Sequence, residues 1–192
     1  WNQVAKWILA HSAKVVVLGE GMKETLINTK GVKPENIRVI PVWARPEFAE
    51  TLQQRQDENE LDIRKLFNID QKEFIVLFAG NIGIMQPVDD VLGAAQKCAE
   101  DPVKFIFLGG GVGFEDLKDR IQNLKLDNVL LLRYQPQELF EGILKESDVC
   151  VVTLAKGMEK YSVPSRAFTF MSAGKPIIAA MVDNSDIGSI IR

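Results

Sequence analysis

Five short apolar runs that never alternate with polar residues constrain this chain more than any other feature. They are FIVLFAG at 74–80, VKFIFLGGG at 103–111, NVLLLRY at 128–134, DVCVVTL at 148–154 and PIIAA at 176–180. A strand with one face in water alternates apolar and polar side chains, because successive side chains point to opposite faces. A continuous run belongs instead to a strand covered on both faces, as in a parallel sheet between two helical layers. The stretches between the runs supply the helices. DDVLGAAQKCAE spaces Val91, Ala94, Ala95 and Cys98 helically, and FEDLKDRIQNLK does the same with Leu117, Ile121 and Leu124. PQELFEGILKES offers Leu139, Ile143 and Leu144 behind Pro136 as a helix start. VPSRAFTFMSAG offers Phe168 and Met171, with Gly174 just past the helix end. The alternation predicts an α/β fold, a Rossmann-like doubly wound parallel sheet over 73–192, with right-handed crossovers.

The first 45 residues read differently. WNQVAKWILAHSA is an amphipathic helix, KVVVLGEGMKETLINTKG a strand, a turn and a helix ended by Gly31, and IRVIPVWARPEF a strand closed by Pro41 and Pro46. One β-α-β unit is too small to be a domain. Residues 1–45 are therefore expected to be the remnant of a domain whose sheet lies upstream, packed as a partial layer or loosely ordered. Trp1, Trp7 and Trp43 should then expose apolar surface. Residues 46–72 are rich in charge and read as a linker with a short helix. SDIGSIIR reads as a helix without a stop signal, so both ends are expected to be cut.

Composition narrows the function. A net charge of −3 gives no basic field for a nucleic-acid backbone. Cys98 and Cys150 form no CxxC pair, and Cys150, inside an apolar run, reads as a reduced buried thiol. That fits a cytoplasmic protein. One histidine, His11, and no cysteine cluster predict no metal site. No cofactor is expected, and no segment reaches the roughly 18 apolar residues of a spanning helix.

In open α/β sheets, ligands bind beyond the carboxyl ends of the strands. After the first run comes AGNIGIMQP with Gly80 and Gly83; after the second, GGGVGF with Gly109, Gly110, Gly111 and Gly113. After the third come Arg133, Tyr134 and Gln135; after the fourth, AKGMEKYSVPSR, which ends at a helix start. Glycine lets a ligand approach the backbone, a helix start attracts phosphate, and Arg166 can fork onto phosphate oxygens. Tight turns alone would also account for each glycine loop, and Phe114 stands where a GxGxxG would need its third glycine. Taken singly, Arg166 would pass for a solvated surface arginine. Two glycine loops and a basic helix start on one sheet edge together suit a nucleotide diphosphate.

Read in order, IRVIPVWARPEF, FIVLFAGNIG, VKFIFLGGG, NVLLLRYQPQEL, SDVCVVTL and VPSRAFTFMSAGKPIIAA resemble the retaining GT-B glycosyltransferases of family 4, nearest the bacterial exopolysaccharide, O-antigen and capsule enzymes. The resemblance covers about 12–191. It implies the end of an acceptor domain (1–45), a linker (46–72) and a C-terminally truncated donor domain (73–192). It also implies that Gly80, Asn81 and Gly83 face the diphosphate and that Arg133, Tyr134, Gln135 and Leu139 flank the nucleobase. Ser165 and Arg166 would receive the diphosphate, and Gly109 and Gly110 complete the donor site. The family often has arginine at Asn81, lysine at Gln86 and glutamate at Tyr161 and Thr169, so those four positions depart from its pattern. Arg166, Lys156 or Lys160 would then supply the missing cation. The implied function is transfer of a sugar, with retention, from a UDP- or GDP-sugar to a glycan or lipid-linked acceptor in cell-surface polysaccharide synthesis. The acceptor-side catalytic groups would lie upstream, leaving this chain inactive alone, and the full protein would sit at the inner face of the plasma membrane. The alternatives are a non-catalytic nucleotide-sugar-binding GT-B protein and a UDP-sugar 2-epimerase-like enzyme.

Overall fold

The structure is a computed structural model that describes residues 2–43, 61–182 and 185–191. Two parallel sheets organise it. Helix α1 (Asn2–His11) precedes a two-stranded sheet, β1 (Val15–Val17) and β2 (Ile37–Val39), joined through α2 (Glu20–Lys30) and a short 3-10 turn (Pro34–Asn36). A four-residue helix, α3 (Ile63–Leu66), leads into five strands: β3 (Phe74–Asn81), β4 (Val103–Gly110), β5 (Val129–Leu132), β6 (Val149–Thr153) and β7 (Ile177–Ala180). They alternate with α4 (Asp89–Lys97), α5 (Phe114–Leu124), α6 (Gln137–Glu146) and α7 (Arg166–Ser172), and α8 (Asp186–Ile191) follows. The strand order is β5-β4-β3-β6-β7, every pair parallel. All five expected strands are present, with ends that differ by at most two residues from the apolar runs.

The continuous runs do bury both faces. Ile75, Leu77 and Ala79 of β3 face one core, with Ile143 and Leu144 of α6, Ala167 and Phe170 of α7, and Ile187 of α8. Val76 and Phe78 face the other, with Val91, Leu92 and Ala95 of α4 and Phe114 and Leu117 of α5. Several side chains expected to face a core do not, or only partly. Ala94 is exposed and Leu92 is buried in its place, because α4 turns a wider apolar stripe to the sheet. Leu124 is exposed at the end of α5, where Lys125 takes the left-handed conformation and Leu126 turns inward. In α7 the fully buried pair is Ala167 and Phe170, while Phe168 and Met171 pack at the margin. The expected helix stops are present: Gly31 and Gly174 both take positive φ.

Residues 2–43 hold the two-stranded sheet and a small core of their own. Their core has three buried residues, Val17, Val32 and Ile37. Trp7 and Trp43 are exposed; Trp1 and residues 44–60, with Pro46 and most of the proposed linker, lie outside the described residues.

Cys150 is buried, as expected. Burial disfavours its thiolate and pushes the pKa from 9.0 up to about 12, with nearby Lys175 pulling the other way. Below the unfolded value both states hold the proton. Above it the unfolded chain ionises first, so the contribution of Cys150 to folding is lost as pH rises from 9.0 to about 12. In a native thiol titration with a chromogenic disulfide at pH 8, Cys98 should react and Cys150 should not, until denaturant is added.

Two glycine substitutions should move stability in opposite directions. Gly93 sits inside α4 with nothing near its missing Cβ, so Gly93→Ala should stabilise by about 1 kcal/mol. Gly109 has φ +156, and a Cβ there would overlap the carbonyl oxygen of Gly80. Gly109→Ala should therefore cost about 3 kcal/mol, from strain and a clash with unyielding backbone. Urea unfolding of the three proteins measures both.

Candidate functional site

The strand order puts the topological switch between β3 and β6, the two strands from which the chain departs in opposite directions along the sheet. The loops that follow them meet directly. The Ala155 N–H, after β6, donates to the Met85 carbonyl, after β3, at 3.1 Å. The loop after β3 also locks onto the loop after β4: Ile82 N–H donates to Gly110 O at 2.7 Å and Gly113 N–H to Ile82 O at 3.0 Å. Ile82 is fully buried and pins this junction.

Much of the glycine content serves that packing. Gly109 pairs with Gly80 across β3–β4, with no room between them for a side chain. Gly111, at φ +127, leaves space that the Asn81 carboxamide fills. Gln86 folds back over Gly80, its Oε1 2.5 Å from where a Cβ would stand, and closes a tight turn with Gly83, whose carbonyl accepts from Gln86 N–H at 3.2 Å. Asn81 and Gln86, the two residues that stand where the resembled family often has cations, thus pack against loop backbone. On the rim, Ile84 (82% exposed) and Val112 (87%) hold two apolar side chains in water.

The turn after β5 joins the same edge. Tyr134 lies against Gly110, whose missing Cβ would come within 2.9 Å of the ring. Arg133 stacks on Phe114, 4.2 Å from the ring centroid, and pairs with Glu115. Gln135 donates to the Arg133 carbonyl at 2.9 Å, and Leu139 packs partly into the core. Arg166 starts α7 and lies 4.6 Å over the Phe140 ring of α6. Burial from water pushes its pKa below the usual arginine value, and Tyr134 nearby acts in the opposite direction. An arginine keeps its proton in a protein regardless. Among the described residues, no carboxylate pairs with Arg166.

The other candidates stand apart from this chain of contacts. Ser165 is the N-cap of α7, but its hydroxyl makes no capping bond, and α7 has only seven residues. Its dipole is correspondingly slight, so whatever anion affinity this corner has comes from the guanidinium. Thr169 lies in the second turn of α7, where its carbonyl accepts from Ser172 Oγ at 2.9 Å. Tyr161 is exposed in the loop after β6, and its neighbour Lys160 is paired with Glu24 at 3.3 Å. Lys160 is thereby engaged elsewhere, and Lys156 is exposed in the same loop. Thr153, at the end of β6, is a residue that sequence reasoning missed. It is buried, and its hydroxyl has no partner among the described residues. No pattern marks such a hydroxyl, since threonine is common in strands. Among the described residues, no group of His, Cys, Asp and Glu is arranged to hold a metal, and no helix is long and apolar enough to cross a membrane.

Known proteins resemble this chain in sequence and in fold. The family described as "Glycosyl transferases group 1" matches residues 59–185. The probable glycosyltransferase WbjE of Pseudomonas aeruginosa is 29% identical over 99% of this chain and 46% of its own length. The putative colanic acid biosynthesis glycosyl transferase WcaI of Escherichia coli is 26% identical over 84% of this chain and 39% of its own. The chain thus spans less than half of each of these two relatives. Among solved structures, WaaG, a glycosyltransferase involved in lipopolysaccharide biosynthesis, superposes with a TM-score of 0.73 at 14% identity, over 93% of this chain and 46% of that one. Anabaena HepE in complex with UDP and glucose gives 0.68 at 18% identity, over 98% and 49%. At these identities the structures speak for the fold, which is that of GT-B glycosyltransferases. The family match covers most of the chain, and the chain belongs to the group 1 glycosyl transferases.

Proposed function

We propose that this chain is the donor-binding part of a glycosyltransferase. The whole protein moves a sugar, with retention and in the manner of family 4, from a UDP- or GDP-sugar to a glycan or lipid-linked acceptor in cell-surface polysaccharide synthesis. Residues 73–192 bind the donor, 46–72 link, and 1–45 belong to the acceptor side. The protein works in the cytoplasm, at the inner face of the plasma membrane.

The observation that carries this reading is Arg166. A half-buried cation with no carboxylate partner among the described residues is costly unless an anion completes it, and here it stands on the edge where open α/β sheets bind ligands. Tyr134, against Gly110 and near enough to Arg166 to act on its charge, offers a ring beside that anion site, suited to a nucleobase. A diphosphate leaving group needs its developing charge stabilised, and a fixed guanidinium does that. The roles ascribed to WbjE and WcaI, and the UDP bound to HepE, point the same way. The remaining donor contacts are assigned to Gly80, Asn81, Gly83, Gln86, Gly109, Arg133, Gln135, Leu139, Tyr161, Ser165 and Thr169.

A second reading, a nucleotide-sugar-binding protein without turnover, draws on Tyr161 and Thr169 where the resembled family has carboxylates, and on Asn81 and Gln86 being packed against backbone. Turnover by the whole protein with a panel of UDP- and GDP-sugars separates the two; none with any donor leaves only the second.

Arg166→Ala should weaken UDP or GDP binding at least tenfold, each tenfold being about 1.4 kcal/mol, since a charge-assisted bond contributes about 1.5–3 kcal/mol. Titration calorimetry reads it. A change under about twofold, with the circular dichroism spectrum intact, would move the phosphate away from Arg166.

A further inference from the structure

Helix α2 begins without a cap of its own. Its N-cap is Gly19, which has no side chain to bond the free N–H groups of the first turn. Every α-helix opens with four such groups, and Ser, Thr, Asp or Asn at the N-cap ordinarily satisfies one. Here the acceptor comes from the far end of the chain. Asp186, the first residue of α8, brings both carboxylate oxygens to the Gly21 N–H, at 3.1 and 3.2 Å. The two glycines permit that approach. A Cβ on Gly19 would overlap the carboxylate, and one on Gly21 would lie 3.2 Å from the same oxygen and 3.3 Å from Lys160 Cγ.

Two further contacts cross the same junction. Lys160, in the loop after β6, reaches Glu24 at 3.3 Å. Met22 packs against both the three-residue core of the small sheet and the large core of the five-stranded sheet. The two bodies are unequal. A two-stranded sheet is marginal by itself, whereas the five-stranded sheet is covered on both faces.

We propose that Asp186 is a clamp: it caps α2 in trans and holds residues 2–43 against the carboxyl edge of the five-stranded sheet. A carboxylate at a helix N-terminus also meets the positive end of the helix dipole. A serine or aspartate at position 19 would satisfy the same N–H groups locally and leave the two bodies uncoupled. The clamp acts where the loops after β6 and β7 emerge, so it fixes how far α2 stands from the proposed donor edge. It rests on these contacts and not on what binds at that edge.

Amide hydrogen exchange on this chain tests it, with Asp186→Ala, Gly19→Ser and the double variant. In Asp186→Ala, the Gly21 amide and those of β1 and β2 should exchange at least tenfold faster, while β3 and β4 keep their rates. Gly19→Ser should free β1 and β2 in the same way, because its side chain enters the space of the carboxylate, while its hydroxyl keeps the first turn of α2 protected. In the double variant the new hydroxyl caps α2 locally, so protection should return to the first turn of α2 but not to β1 and β2. Unchanged exchange in Asp186→Ala overturns the clamp. So does a double variant in which β1 and β2 recover with α2, since Asp186 would then be a cap and nothing more. If Asp186→Ala also lowers protection in β3 and β4, Asp186→Leu, which keeps roughly the volume and removes both acceptor oxygens, is read by the same criteria.

Discussion

Strand β3 has no face that water can reach. Ile75, Leu77 and Ala79 enter one core, and Val76 and Phe78 enter the other. A central strand of that kind needs a strand on each side for its N–H and C=O groups and a helical layer above and below for its side chains. Strands β4 and β6 supply the first, and helices α4 to α8 the second. Once both faces and both flanks are taken, backbone groups remain open only at strand ends. The chain leaves β3 toward β4 and returns on the other side at β6, which makes the carboxyl ends of those two strands the place where a crevice forms. The position of the candidate site is a consequence of how this strand is buried.

Cations along that edge are not equivalent. Arg133 pairs with Glu115, Lys160 with Glu24, and Arg120 with Asp89 at 2.8 Å. Deeper in the fold, Arg64 bonds Glu146 at 2.8 Å and the carbonyls of Asp70 and Glu73, a structural tie between α3, α6 and the start of β3. Lys175 donates to the Lys145 and Ser147 carbonyls at 2.6 and 2.8 Å, which closes the end of α6. Each of these charges already has its partner. Arg166 has an aromatic ring instead, and a ring offsets desolvation of a guanidinium only in part. The charge is thus kept partly dry and available, the condition in which an anion gains most from meeting it.

The strands are legible in the sequence because an uninterrupted apolar run of that length suits little but a strand covered on both faces. Helix existence is legible as well, from spacing and from Gly31 and Gly174. Faces are less so. Helix α7 carries Ala167, Phe168, Phe170 and Met171 within two turns, so its apolar positions surround the axis and do not choose a side; packing against β6 and β7 chooses Ala167 and Phe170. The glycines are legible as an edge but not as to purpose. Gly109 and Gly111 are required by the Gly80 carbonyl and the Asn81 carboxamide, neighbours that only the sheet register brings together. The Asp186 contact is beyond reach from sequence, since donor and acceptor are 165 residues apart and the only local sign is the lack of a capping side chain at position 19.

That lack links stability to architecture. A protein that needed only a stable α2 would place serine at position 19 and gain roughly a few tenths of a kcal/mol from the local cap. Glycine there forgoes the local bond and adds backbone freedom that folding must remove. The arrangement makes physical sense if the free N–H groups are worth more as a docking point than as a capped end. Docking also accounts for Gly21, a second glycine in the first turn of a helix, where alanine would be the better helix former. Both substitutions that would improve α2 in isolation would push away the carboxylate that joins it to the rest of the molecule. The small sheet, with three buried residues, depends on that join more than the large one does. The start of α2, which has no capping side chain of its own, is therefore the place where residues 2–43 are held to the five-stranded sheet.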